Sequence, residues 1–274
     1  MALPLYIFTI VFVICPLLYV VALSFATPNR GYGVTWKFTL DNYKNILEPV
    51  YLNTFVESLK LALTSTAAIV LIGYPFGYFM AKLPEHRKKK AHLLLTLPFW
   101  VNSLIRLYGW IIILQKKGLL NFVLMKLGLI KKPLAILYSY PAIVVGMIYV
   151  LLPFMIMSVY SSVEKLDWSY VEAARDLGAS RVQAFFTVTL KLTLPGLLSG
   201  VILTFVPSMG LFFIADILGG NKIVLVGSLI QDQMTRGSNW PFAAALAVVM
   251  MVLTTVMIMI YRKVSNAREL EGIG

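Results

Sequence analysis

Acid is scarce in this sequence: 12 Asp and Glu stand against 24 Lys and Arg in 274 residues. Charged residues of both signs make up 13% of the chain, about half the share found in soluble domains. That is too little to clothe a water-exposed globule. The single cysteine, Cys15, excludes an internal disulfide, and the lack of a Cys/His cluster leaves no expected metal site. The two histidines, His86 and His92, flank a basic run, and no Ser/His/Asp arrangement stands out. The GxxxxGK[ST] loop that cradles nucleotide phosphates is missing. If ATP drives this protein, another subunit must bind it. The net charge of +12 would suit nucleic acid, yet in an apolar chain it reports basic loops beside anionic lipid.

What is present is apolar sequence, 59% of all residues. It falls into six runs of about the 20 residues a bilayer requires. These are about Leu3–Phe25, Phe55–Ala81, Leu93–Leu114, Tyr138–Tyr160, Pro195–Leu218 and Phe242–Tyr261. The expected architecture is an all-α membrane protein, one membrane domain over 1–274. The first run is long enough to span and lacks a basic leader, so it is expected to stay as a span. Pro16, Pro75, Pro98, Pro153 and Pro207 lie within the runs. In membrane bundles such prolines bend helices where neighbours satisfy the freed carbonyls.

One polar stretch interrupts this pattern: Ser169–Pro195, SYVEAARDLGASRVQAFFTVTLKLTLP, inside a loop of about 164–194. Ser169 with Glu172 three residues on has capping-box spacing, and Gly178 is placed to end the short helix that would follow. Ser180 with Gln183 repeats the spacing for a second helix. Two helices joined at a glycine mimic a DNA-reading helix-turn-helix. A recognition helix must show polar side chains to base edges. Here the second helix reads AFFTVTL and runs into the next apolar segment, so no nucleic-acid partner is expected.

Glu172, Ala173, Ala174, Gly178, Val188 and Leu190 resemble the EAA loop of the inner-membrane permease subunits of bacterial ABC importers. Lys191 stands where that family usually has proline, and the next proline is Pro195. Further stretches resemble the spermidine/putrescine branch of the family: FTLDNY (Phe38–Tyr43), GYPFGYFMAKLP (Gly73–Pro84), LPFWVNSLIRLYGW (Leu97–Trp110), YVLLPFMIMSVYSSVEKLD (Tyr149–Asp167) and MGLFFIADILGG (Met209–Gly220).

The resemblance implies a type I ABC importer permease fold with six transmembrane helices, in the bacterial inner membrane. The chain itself would hold no cofactor and would not be an enzyme; ATP and Mg would sit on a partner ATPase. Implied partners are a homologous second permease (PotC-like), an ATPase homodimer (PotA-like), a periplasmic polyamine-binding protein (PotD-like) and membrane lipid. Coupling to the ATPase falls to Glu172, Ala173, Ala174, Arg175, Asp176 and Gly178. An importer of the same fold for thiamine, iron or an anion is the alternative reading.

A polyamine calls for carboxylates and aromatic faces, each face contributing about 0.5–2 kcal/mol by cation–π contact. Candidates for a substrate path are Tyr43, Trp100, Asn102, Tyr108, Trp110, Asp216 and Trp240. Asp216 leads, because an ionisable residue at the end of an apolar run is a functional candidate by default. Arg106 in the third run argues against a simple cation site there, and is expected to pair with an acid such as Glu57 or to reach outward. Charge orients the chain only weakly. With the EAA loop inside, twelve basic residues lie inside and ten outside. The dense cluster Arg87–Lys90 falls on the inner side.

Overall fold

A computed structural model describes residues 3–29, 33–220 and 222–271. Arg30, counted above among the outer basic residues, lies outside them, as do the side chains of Arg262 and Arg268. The chain divides into two compact units: Met1–Leu59 with Val224–Ile260, and Lys60–Ile223 with Tyr261–Gly274.

Among the described residues, five helices are long and apolar enough to cross a membrane. They are Tyr6–Ser24, Pro49–Ala81, Ser103–Lys126, Tyr140–Glu164 and Trp240–Tyr261. A sixth candidate is a pair of helices, Arg181–Leu192 and Leu194–Gly210, bent by 64° between them. The expected count of six stands if that pair is one span.

Two spans differ from expectation. The run Leu93–Leu114 is not one helix: a helix over Glu85–Thr96 gives way to a 3₁₀ turn at Leu97–Trp100, and a new helix starts at Ser103. Pro98 lacks a backbone donor, and Asn102 then caps the restart, its Oδ1 accepting the Leu104 N–H at 2.8 Å. The run Pro195–Leu218 likewise breaks at Leu211 into Leu194–Gly210 and Phe212–Gly219.

In the first unit the FTLDNY stretch acts as a clamp. The Asn42 amide donates to the carbonyls of Ser24 and Ala26, both at 2.9 Å, at the end of the first span. Tyr43 hydroxyl lies 2.6 Å from Ser24 Oγ, and its ring is 5.2 Å from that of Phe25. Ile46, Phe242, Ala245 and Leu246 form the buried cluster beneath. Ser58 Oγ accepts the Val226 N–H at 2.9 Å, satisfying the start of the helix Val226–Thr235.

The second unit is built around Tyr140–Glu164. Its residues Ile143, Met147, Leu151, Met155, Val159 and Val163 form a buried ridge of every fourth position. Two glycine pairs of GxxxG spacing meet it, Gly73/Gly77 from the second span and Gly196/Gly200 from the fifth. A Cβ on Gly73 would lie 2.6 Å from Met155 Cγ, and one on Gly200 2.5 Å from Met155 Sδ. Ser158 Oγ adds an interhelical hydrogen bond to the Gly196 carbonyl at 2.8 Å.

Gly77 and Gly196 are the less forgiving two of the four, since a Cβ there would sit 2.8 Å from the Ile156 carbonyl oxygen and 2.9 Å from that of Ser158, both backbone. Gly77→Val is expected to destabilise the protein by about 1–3 kcal/mol through overpacking. Thermal unfolding of the purified chain in detergent reads this directly; an unchanged midpoint would remove the packing argument.

Candidate functional site

The polar loop between the fourth and fifth spans folds as two short helices. The first is Ser169–Asp176. Its expected capping box at Ser169 and Glu172 does not form. Ser169 sits inside the first turn, and Asp167 Oδ1 accepts its N–H at 3.0 Å. In the expected box that N–H would go to the Glu172 carboxylate; the Asp167 carboxylate, only two residues upstream, takes it instead. Hydrogen bonds from the Ser169 backbone and then its hydroxyl hold the Asp167 carboxyl below the usual carboxylate range. This helix start is therefore firmest with Asp167 ionised and weakens as the pH falls through that lowered range.

The helix ends at Gly178, whose φ of +92° is a left-handed conformation natural to glycine. The Gly178 N–H reaches the Arg175 carbonyl at 2.9 Å and the Ala179 N–H the Ala174 carbonyl at 3.0 Å, the paired bonds of a Schellman ending. The expected second box is present in full. Ser180 N–H donates to Gln183 Oε1 at 2.9 Å, and Gln183 N–H to Ser180 Oγ at 3.3 Å. From Arg181 the chain stays helical, with a wide π turn at Phe185–Thr189, through Lys191 to Leu192. The bend comes at Thr193, just ahead of Pro195, so the proline marks the start of the fifth span.

The expected coupling residues share one surface. Glu172, Ala173, Arg175, Asp176 and Gly178 are exposed and Ala174 half-buried. A cleft of about 520 Å³ is lined by Glu172, Arg175, Asp176, Gly178, Ala179, Ser180 and Arg181. Beside it stand apolar side chains that composition alone did not single out: Leu177, 90% exposed, and Val182, 66% exposed. The signal for Leu177 was an aliphatic residue just before the helix-ending glycine of a polar loop. A second cleft, about 560 Å³, separates the helix Ser169–Asp176 from the end of the second span, with Lys82 and Trp168 in its wall.

The expected substrate-path residues are placed less uniformly. Trp110 is half-buried, its ring edge-on to Tyr149 at 5.5 Å. Tyr108, two positions away on the same helix, faces nearly the opposite side and is exposed. Trp100 is 77% exposed at the end of the 3₁₀ turn, and Asn102 caps the next helix. Asp216 is half-buried on Phe212–Gly219, whose Ile214 and Leu218 pack against Gly146 of the fourth span. Tyr43 and Trp240 belong to the other unit; Tyr43 is engaged by Ser24, and Trp240 Nε1 donates to the Met234 carbonyl at 3.2 Å. Arg106 lies over the rings of Phe99 and Tyr149, 5.7 and 5.4 Å from their centroids, its Nε buried without a hydrogen bond.

Comparison with known proteins bears on the family and the fold. A family model described as the binding-protein-dependent transport system inner membrane component matches residues 1–269. The spermidine/putrescine transport system permease protein PotB of Escherichia coli (strain K12) is 43% identical over 257 residues, covering 94% of each chain. PotB of Haemophilus influenzae is 41% identical, covering 94% of this chain and 90% of that protein. Among solved structures, a bacterial ABC transporter involved in import of the acidic polysaccharide alginate aligns with a TM-score of 0.73 at 17% identity. That alignment covers 97% of this chain and 94% of the other, and it establishes the fold. The chain thus has the fold of a type I ABC importer permease, and it belongs to the family of binding-protein-dependent transport system inner membrane components.

Proposed function

We propose that this chain is the multi-pass inner-membrane permease of an ATP-driven importer of spermidine and putrescine. The observation that carries the reading is the 43% identity to PotB along 94% of the chain. The fold supplies the spans, and the loop 165–193 supplies a surface for a separate ATPase homodimer that holds ATP and Mg. A periplasmic binding protein delivers the polyamine, and a homologous second permease completes the path. This chain's part is to bind weakly, change access and release.

The docking surface is the outer face of the loop: the cleft at Glu172, Arg175, Asp176 and Arg181 with the exposed Leu177 beside it. An apolar side chain rimmed by charges of both signs suits a protein partner. The substrate path draws on Asp216 as the carboxylate and on Trp100 and Trp110 as aromatic faces for ammonium groups.

The test is spermidine and putrescine uptake by the assembled transporter with the binding protein saturated. Asp216→Asn is expected to lower uptake more than Trp100→Ala, since a charge-assisted contact has about twice the strength of a neutral one. Complex assembly should survive both changes. Parental uptake in both variants would move the substrate site to the partner permease. Failure of either polyamine to compete for uptake or stimulate ATP hydrolysis would overturn the polyamine reading itself.

A further inference from the structure

Tyr74, Tyr78 and Lys82 are four residues apart, so they stack along one face of the second span and step just past its end at Ala81. That single stripe touches the polar loop at its beginning, its middle and its end. Lys82 Nζ lies 4.4 Å from the ring centroid of Trp168, the residue preceding the first coupling helix, and 4.3 Å from that of Tyr78. Tyr78 and Tyr74 both meet Phe185 of the π turn edge-to-face, at 5.7 and 5.9 Å. Tyr74 hydroxyl lies 2.8 Å from Thr193 Oγ1, at the residue where the chain bends 64° into the fifth span. The Thr193 hydroxyl also donates to the Thr189 carbonyl at 2.8 Å, closing the contact into the turn.

We propose that this stripe is the strut that carries displacement of the coupling loop to the second span, with Lys82 and Trp168 as positioning residues. The proposal rests on the reading of the loop as an ATPase docking surface. Edge-to-face rings and a cation held over two rings have preferred geometries, so they resist sliding in a way that simple apolar contact does not. The covalent route from the fourth span, Lys165–Asp167, is irregular and offers no comparable stiffness. The loop therefore moves as a body against a fixed face, and the second span receives the push along its length. Glu172 and Arg175 share the cleft with Lys82 and are the charged groups nearest this joint on the loop side.

The experiment uses the complete transporter, this chain with its second permease, ATPase and binding protein, in liposomes, measuring spermidine uptake and ATP hydrolysis together. Lys82→Met keeps the length of the stem and removes the cation; Trp168→Leu removes the ring. Each is expected to leave the ATPase co-purifying while uptake per ATP hydrolysed falls about fivefold or more, the lower bound of a typical coupling between sites. Lys82→Arg and Trp168→Phe, which keep a cation and a ring, should restore the parental ratio; a purely structural role would not track charge and ring in this way. A parental ratio in Lys82→Met overturns the proposal. So does loss of bound ATPase in either variant, because the residues would then dock the partner instead of transmitting its motion. The docking reading is tested apart from the strut by Leu177→Asp. An ATPase still bound in that variant overturns the docking reading, and the strut with it.

Discussion

Gly178→Leu is expected to abolish coupled uptake while the spans still fold. The residue holds φ at +92°, and a side-chain carbon there would meet no atom within 4 Å. The damage is therefore not a clash inside the chain. It comes first from backbone strain, on the order of 1–2 kcal/mol for a left-handed residue with a side chain. It comes second from a bulky group standing in the wall of the cleft proposed to dock the ATPase. Relieving the strain would break the paired bonds to Arg175 and Ala174 and change the angle between the two coupling helices. Each 1.4 kcal/mol lost from docking weakens it about tenfold, so strain and obstruction together leave little ATPase bound. The measurements are membrane levels of the chain, co-purification of the ATPase and spermidine uptake. Normal uptake would sink the idea, and loss of the chain from the membrane would show that Gly178 serves folding instead.

The second large effect is expected to be all-or-none: this chain with the proposed ATPase and binding protein, but no second permease, should transport nothing. The reason lies in the break between Thr96 and Ser103. Its backbone leaves the helix, with Val101 extended at φ −100° and ψ 138°, and it is flanked by exposed Leu93, Leu94, Trp100, Leu104 and Ile105. This break sits at the head of the span Ser103–Lys126, and where such backbone meets hydrocarbon it is tolerated only if protein covers it or water lines it. An uncovered polar group in hydrocarbon costs about 2–7 kcal/mol. In the proposed transporter a second permease would supply the cover and the other half of an aqueous path. Adding it back should restore uptake in reconstituted liposomes. Uptake with this chain as the sole permease would contradict the argument.

The spans were legible because hydropathy over about 20 residues is a coarse signal that local chemistry seldom overturns. The coupling loop was legible for the opposite reason, as a polar interruption with glycine and cap residues in order. Ser180 and Gln183 did what their spacing implied. Ser169 and Glu172, with the same spacing, did not, because Asp167 stood two residues upstream and the pattern takes no account of competitors. Pro98 was visible, yet a proline in a membrane helix reads as a bend. Asn102, a capping residue ahead of an apolar run, was the sign that a second helix begins there. The candidate path suffered most from the linear view. Tyr108 and Trp110 are only two positions apart in the text, yet they lie on nearly opposite faces of the helix. The joint at Lys82 escaped entirely, since the four-residue spacing is plain but Trp168, Phe185 and Thr193 are distant in sequence.

The four glycines on Met155 and its neighbours carry information of an unusual kind. The interface they form is written in missing atoms: the helices approach where side chains are absent, and Met155 threads the gap on both sides. A scale of hydropathy is blind to such a surface, and a scale of helix propensity ranks its members as defects. A redesign guided by either scale would begin by repairing these positions, and in doing so would erase the groove that lets three spans share one axis of contact.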